Sequence, residues 1–358
     1  MIYDWAPHVG EKVDYIQETI YEVRPTCFTG VPRIWEKFAA KIIVGIESSS
    51  RLKRFVYRLS MNIAESYMKV KWDSSRVPLR LRALYWCAKQ ICFRHILHQV
   101  GLNRVKYATS TGAPLPPRIQ EIWQMWGVDL INQYGSTETS GLISSQSPGF
   151  PRPGDLGKPT SVNAVKLEED GELMFSGPGV FLGYLNDRKM TQEVVKEGWL
   201  CMGEIFEYTE AGNLKMIDRK KDIMVTSGGK TISPSYIENA IMGSPYISQA
   251  VLFADGRKFP SALVEINFDT VSDWARRNKV MYTSYTSLTM HPEVVKLISE
   301  EVAKGNQNLA RVEQVKKFAI IPQELDPETG DTTPTRKIKR NHMYKMFKDL
   351  VEEMYPSE

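Results

Sequence analysis

The sequence predicts an α/β protein: a larger α/β region, a β-rich stretch in its later part, and a small α+β domain at the carboxyl end. Three observations carry this reading. Residues 104 to 138 run strand, Gly-Ala-Pro turn, helix, strand, turn, which is the βαβ order in which ligands gather outside the carboxyl ends of the strands. Residues 145 to 218 become dense in Gly and Pro, with short apolar runs between turns, as a small antiparallel barrel or sheet requires. From Arg219 a strand, a Gly-Gly turn and a capped helix open a segment completed by further strands and helices. The predicted boundaries are 1 to 218 for the large region, with 145 to 218 as its β-rich part, and 219 to 358 for the small domain.

In order, residues 11 to 24 form an amphipathic helix with Val13, Ile16, Ile20 and Val23 on one side, ended by Pro25 before a short strand at 26 to 29. Gly30-Val31-Pro32-Arg33 turns the chain into a helix through Trp35, Phe38 and Ile42. Residues 79 to 100 read as a longer helix. Its Leu81, Leu84, Ala88, Ile91 and Leu97 fall near helical spacing and read as a core stripe, with Arg80, Arg82, Lys89 and Arg94 around it. A basic amphipathic helix resting on a membrane surface is the alternative. A helix over 116 to 126 leads to a strand at 129 to 133. In the β-rich part, 164 to 167 and 172 to 175 are strands and 188 to 196 is helical. Residues 223 to 226 form a strand and Ser227-Gly228-Gly229-Lys230 a turn; Ser233 and Pro234 are N-cap and N1 of a helix reaching Met242, closed by Gly243. Strands at 247 to 253 and 261 to 266 precede helices near 269 to 278 and 291 to 308.

Composition narrows the class. Apolar content of 42% and charged content of 25% over 358 residues exclude a disordered or fibrous chain. Forty-six Lys and Arg against forty-two Asp and Glu leave +4, with the basic residues read as scattered, so charge makes little case for nucleic acid. Cys27, Cys87, Cys92 and Cys201 have no C-x-x-C pairing, which argues against a disulfide framework or zinc site and for a reduced, cytoplasmic protein. No leader pattern opens the chain and no run of eighteen apolar residues occurs, so any membrane contact is expected to be peripheral. Trp35, Trp123, Trp126 and Trp199 read as core or interface aromatics.

Three blocks carry chemistry: Tyr134-Gly135-Ser136-Thr137-Glu138-Thr139, Asp218-Arg219-Lys220-Lys221-Asp222, and Pro334-Thr335-Arg336-Lys337-Ile338-Lys339-Arg340. Together they contain the parts needed to activate a carboxylate with ATP. Mg²⁺ takes oxygen ligands, usually one or two carboxylates plus substrate phosphates, which makes Glu138 the metal-side group and Thr137 the phosphate-side group. An arginine and a lysine supply cationic donors that stabilise developing charge. Singly, the blocks have plainer readings as a turn, a solvated charge run and a basic patch. Gly112-Ala113-Pro114 also follows a strand, so it and Tyr134 to Glu138 are expected to line one crevice.

These residues resemble the adenylate-forming, AMP-binding synthetases, and within them the long-chain fatty acyl-CoA synthetases. Tyr134 to Glu138 is similar to the family's Tyr-Gly-x-Thr-Glu block, and Gly198-Trp199-Leu200 with Gly203 to its Gly-Trp-x-x-x-Gly-Asp block. Asp218-Arg219-x-Lys221-Asp222, Gly228-Gly229-Lys230 and Ile232-Ser233-Pro234 to Glu238 resemble the hinge and the start of the mobile carboxyl-terminal domain. Glu22 to Thr26, Gly30 to Lys37 and Thr333 to Arg340 favour the long-chain branch. The resemblance covers essentially the whole chain. It implies the later part of a large α/β AMP-binding domain with a β-rich subdomain, followed by a small hinged α+β domain.

The resemblance also implies a two-step reaction: fatty acid and ATP give acyl-AMP and pyrophosphate, then coenzyme A gives the thioester and AMP. Tyr134, with Gly135 and Ser136, would lie at the adenine, Thr137 at phosphate and Glu138 at Mg²⁺. Arg219 would reach the ribose hydroxyls and Lys337 would bridge carboxylate and α-phosphate. Lys221 would be the hinge, and Gly228 and Gly229 would let backbone approach the pantetheine channel. Two departures stand out. Glu204 replaces the family's ribose-gripping Asp, and the Ser/Thr/Gly-rich loop ending in Pro-Lys-Gly that cradles the β- and γ-phosphates is absent from these residues. The second leads to the expectation of an amino-terminally truncated synthetase with an impaired first half-reaction. The rivals are another adenylate-forming ligase and a non-catalytic nucleotide- or acyl-CoA-binding remnant.

Overall fold

The structure is a computed structural model that describes residues 6–8, 15–73, 76–160, 164–307, 309–325 and 340–355. The chain divides into two compact units: one runs to Tyr134 and includes Ser145–Gly154, and the other comprises Gly135–Ser144 and the chain from Asp155.

The first unit contains α1 (Ile16–Val23), β1 (Cys27–Gly30), α2 (Pro32–Glu47), α3 (Arg51–Asp73), α4 (Leu79–Ala88), a π turn (Lys89–Phe93), α5 (Arg94–Gln99), β2 (Tyr107–Ser110), α6 (Pro117–Met125) and most of β3 (Leu130–Ser136). Strands β1, β2 and β3 are parallel, with Cys27 opposite Tyr107 and Ala108 opposite Leu130. Pro at the first turns of α2 and α6 removes an N–H that a helix start leaves unpaired anyway. The tryptophans organise the core. Trp35, Trp123 and Trp126 are fully buried and meet edge to face at 5.1 Å. Trp35 Nε1 donates to the Thr109 carbonyl of β2 and Trp123 Nε1 to the Trp35 carbonyl, so α2 and α6 are fixed to the sheet and to each other.

The core stripe expected over 79 to 100 is corrected. Ala88 and Leu97 are buried and Leu81 is half-buried, but Leu84 and Ile91 are exposed. The buried series is Tyr85, Ala88, Phe93, Ile96, Leu97 and Val100. Its five-residue step from Ala88 to Phe93 spans the π turn, which adds a residue to the helix and rotates α5 relative to α4. Helix α3, which the sequence reading passes over, packs beside α4 through Tyr67 stacked on Tyr85 at 4.2 Å.

The second unit begins with a short turn (Thr137–Thr139) and continues through β4 (Gly141–Ser145), β5 (Lys158–Pro159), β6 (Ala164–Leu167), β7 (Glu172–Ser176), α7 (Arg188–Val194), β8 (Val195–Lys196), β9 (Trp199–Tyr208) and β10 (Leu214–Arg219). The expected β-rich stretch is here an antiparallel sheet in the order β10-β9-β7-β6, with β8 on β9. A single turn (Lys220–Asp222) leads to the hairpin of β11 (Met224–Val225) and β12 (Thr231–Ile232). Then come α8 (Pro234–Met242), β13 (Ile247–Phe253), β14 (Ser261–Ile266), α9 (Phe268–Arg277), α10 (Tyr285–Thr289), α11 (Pro292–Asn306), β15 (Lys317–Ile320), α12 (Arg340–Met346) and α13 (Lys348–Glu353). Ser233 caps α8, accepting from the Tyr236 N–H as its sequence position predicts. Strands β13 and β14 are antiparallel, β15 joins β14 in parallel, and buried Ile237, Val264, Ile298 and Val302 share one core.

Candidate active site

The Tyr134 block lies at the end of β3. Tyr134 is half-buried in the first unit, and Gly135 to Thr139 start the second. A side chain at Gly135 would collide with the Gly141 carbonyl oxygen, so this position demands glycine for the chain to double back. The return uses Ser140 and Gly141, both at positive φ. The turn is locked by Thr139, whose Oγ1 accepts the Ser136 N–H at 3.0 Å and lies 2.8 Å from the Gly141 carbonyl. The lock leaves Thr137 exposed and Glu138 half-buried.

Glu138 is held from a segment 46 residues away. The Phe181 N–H donates to its carbonyl at 2.9 Å, and the Tyr184 hydroxyl donates to its Oε1 at 3.0 Å. Phe181 and Tyr184 meet edge to face at 4.9 Å. The Tyr184 N–H donates to Thr191 Oγ1 at 2.9 Å, which ties the segment to the start of α7. Desolvation, and then the neighbouring Glu138 carboxylate, push the Tyr184 phenol pKa above its ordinary value. The hydroxyl therefore stays a donor near neutral pH. Sequence reasoning missed Tyr184; its only local signal is a Phe-x-x-Tyr pair in a Gly-dense run.

Glu204 on β9 and Arg219 on β10 are register partners, with Oε1 to Nε at 3.8 Å. Asp218, fully buried, accepts at Oδ1 from the Arg219 N–H (2.8 Å) and the Ser235 hydroxyl (2.7 Å), and at Oδ2 from the Ser235 N–H (2.9 Å). Ser233 Oγ lies 2.8 Å from Oδ2 and equally near the Ile217 carbonyl. Lys220 bridges Asp170 at 2.5 Å and Glu172 at 2.7 Å; these bonds, Asp170 first, raise its ammonium pKa. Lys221 is exposed between these anchored neighbours. Gly228 and Gly229 occupy an exposed turn closed by the Gly229 N–H to Thr226 carbonyl bond, with open space where a Cβ would project.

In the first unit, Gly112 (φ +87), Ala113 and Pro114 follow β2, with Gly112 and Pro114 exposed. Lys337 lies outside the described residues. Arg340, three residues on, donates to Glu238 Oε1 at 2.6 Å and to the Leu252 carbonyl at 3.0 Å.

Comparison with known proteins places most of the chain in one family. The family described as "AMP-binding enzyme" matches residues 6–185, and "AMP-binding enzyme C-terminal domain" matches residues 221–358. The chain belongs to the AMP-binding enzyme family. This AMP-binding enzyme is 30% identical over 346 residues to the putative fatty-acid–CoA ligase fadD11 of Mycobacterium tuberculosis, covering 96% of this chain and 60% of that protein. It is 30% identical to the long-chain-fatty-acid–CoA ligase FadD15 of Mycobacterium bovis, covering 94% and 55%. It is 29% identical to the peroxisomal long chain acyl-CoA synthetase 7 of Arabidopsis thaliana, covering 97% and 52%. The chain thus spans about half to three fifths of the length of these curated relatives. Its fold matches the adenylation domain of a Mycobacterium chelonae carboxylate reductase, with TM-score 0.66 and 20% identity over 97% of this chain and 49% of that one. The anthranilate CoA ligase AuaEII in complex with anthranoyl-AMP gives 0.61 and 16% over 95% and 53%. The α/β reading of this AMP-binding enzyme is therefore established.

The residues present fit Mg²⁺. No group of three or more His, Cys, Asp or Glu able to hold a metal occurs among the described residues. A single braced carboxylate beside an exposed threonine hydroxyl is the kind of partial oxygen set that Mg²⁺ completes with substrate phosphates and water.

Proposed function

We propose that this chain carries the adenylate- and coenzyme A-handling part of an ATP-dependent long-chain fatty acid–CoA ligase. The observation that carries the reading is the Thr137–Glu138 turn: its carboxylate is held at one oxygen by Tyr184, in a chain whose curated relatives are named fatty-acid–CoA ligases. Glu138 would hold Mg²⁺, which when bound neutralises phosphate charge. Thr137 donates to phosphate, Tyr134 with Gly135 and Ser136 serves the adenine by resemblance, and Gly112-Ala113-Pro114 remains a nucleotide-side candidate in its own unit. Arg219 and Glu204 sit side by side to meet the ribose hydroxyls. Glu204 is a methylene longer than aspartate, so the ribose grip is weakened without being lost. Lys337 bridges carboxylate and α-phosphate as acyl-AMP forms and pyrophosphate leaves. In the second step the coenzyme A sulfur attacks the acyl carbonyl and AMP departs, with Gly228 and Gly229 admitting the pantetheine arm. Lys221 is the hinge between the two steps. We place the domain boundary at 218 to 219 because the carboxyl-terminal family match starts at residue 221, although compactness alone keeps the chain from Asp155 onward together.

The test separates the half-reactions. The 358-residue chain is given palmitate, ATP, Mg²⁺ and coenzyme A, and separately palmitoyl-AMP with coenzyme A. Palmitoyl-CoA is expected from the preformed adenylate, with acetyl-AMP a poor substitute. Lys337→Ala should lower any ATP-dependent synthesis by about 10² or more while leaving thiolysis near its starting rate. Nucleotide binding with no thioester from either mixture sinks the ligase reading and favours a binding module.

A further inference from the structure

The hairpin of α3 and α4 differs in chemistry from the rest of the chain. Residues 51 to 94 contain eleven Lys and Arg but only two acidic residues, a net +9, whereas the remaining residues contain 35 basic and 40 acidic, a net −5. The basic residues are therefore concentrated, not scattered. Both acids are already engaged, Glu65 by Lys69 at 2.8 Å and Asp73 by Arg152.

The inner face of α3 is buried through Ser60, Ala64 and Met68. Its solvent side exposes Leu52, Phe55 and Leu59, at 71, 65 and 52% of their full surface. On α4 and the π turn, Leu79, Trp86 and Ile91 are 80, 62 and 64% exposed. Single exposed apolar residues need no explanation, but these six together with Leu84 on one helical hairpin do. Exposed Arg58, Arg80 and Arg82 are interleaved with them.

We propose that this hairpin docks on an anionic phospholipid surface. The apolar side chains enter the acyl boundary while Lys and Arg stay at the lipid phosphates. Trp86 suits that interface, where an indole is half wet. Two other occupants fit this combination of charge and apolar exposure less well. Nucleic acid offers phosphates but no apolar layer for Leu, Phe, Trp and Ile, and a second copy of the hairpin brings the same +9 and repels. Helix α3 lies along the surface and does not cross it: no helix among the described residues is long and apolar enough to span a bilayer. The inference stands on exposure and charge and does not depend on the ligase reading.

The test is flotation of the 358-residue chain with vesicles of phosphatidylcholine alone or with phosphatidylglycerol at one part in three. Binding is expected only to the anionic vesicles and should weaken as salt rises. Phe55→Ser with Trp86→Ser, and separately Arg80→Glu with Arg82→Glu, should each cut partitioning roughly tenfold or more. All four positions are exposed, and matching thermal unfolding confirms that the variants fold. The proposal is overturned by flotation with neither vesicle, or by equal flotation with both that neither variant changes. It is also overturned by a dimer in light scattering that Phe55→Ser with Trp86→Ser dissolves without any vesicle binding. Binding of a DNA duplex that only the charge variant abolishes, again without flotation, makes the surface a nucleic-acid one and overturns it as well.

Discussion

The smallest unit of this site is one hydroxyl on one carboxylate. Tyr184 takes one oxygen of Glu138, so the carboxylate's rotation is set before any ligand arrives. Tyr184→Phe removes that brace with almost no change in volume. Mn²⁺ titrated in the presence of ATP and followed by electron paramagnetic resonance should bind roughly tenfold more weakly to the variant. The melting curve should change little, because a partly exposed hydrogen bond contributes about 1 kcal/mol. Unchanged Mn²⁺ affinity would show that the bond only fills space left by the metal. Gly135 teaches the complementary lesson: its identity is visible in the sequence, but the collision that demands it comes from Gly141, six residues on and folded back against it.

At the level of elements, the turn between β10 and β11 is defined by its neighbours. Asp218 joins the end of β10 to the capped start of α8, and Lys220 joins the same turn to Asp170 and Glu172. Asp218→Ala strands the Arg219 and Ser235 N–H groups and the Ser235 hydroxyl, which should cost about 2 to 3 kcal/mol and appear as a lower thermal midpoint. Asp218→Asn should recover part of the loss, whereas equal loss in both variants would mean that the carboxylate's charge is indispensable. Much of this architecture was legible in the sequence: the βαβ run, the β-rich stretch, the Ser233-Pro234 helix start and the motif blocks rest on local patterns. The features that were not legible depended on distance or on a break in period. Tyr184 belongs to the site only because the chain returns after 46 residues, and the π turn replaced the expected three- or four-residue step with five between Ala88 and Phe93. Helix α3 is hard to place for another reason: it buries Ser60, Ala64 and Met68 while Leu52, Phe55 and Leu59 stay exposed, so its larger apolar residues do not mark the buried face.

At the scale of the whole chain, the carboxyl-terminal helices are held to the β13–β14 connection by a charged clasp. Arg257 places two nitrogens on Glu352, at 2.5 and 3.1 Å, and the Tyr344 hydroxyl donates to the same carboxylate at 2.7 Å. Arg257, and then Tyr344, hold the Glu352 carboxyl below the usual carboxylate range. A carboxyl depressed by folding stabilises above its unfolded value of about 4.3, and that contribution is lost as pH falls through the lower folded value. The clasp is partly exposed, so the loss should stay under about 1 kcal/mol. Glu352→Gln should flatten the fall in thermal midpoint between about pH 5 and pH 3, and an unaltered slope in circular dichroism melts would remove the clasp from acid sensitivity. The Asp218 bonds reach further under the proposed hinge. They connect residue 218 to residues 233 and 235, and so close a loop over Lys221. Turning the small domain about that residue means first releasing a buried carboxylate. Under the proposed function, the passage from one half-reaction to the next waits on this latch, and each additional 1.4 kcal/mol or so in its grip lengthens that wait about tenfold.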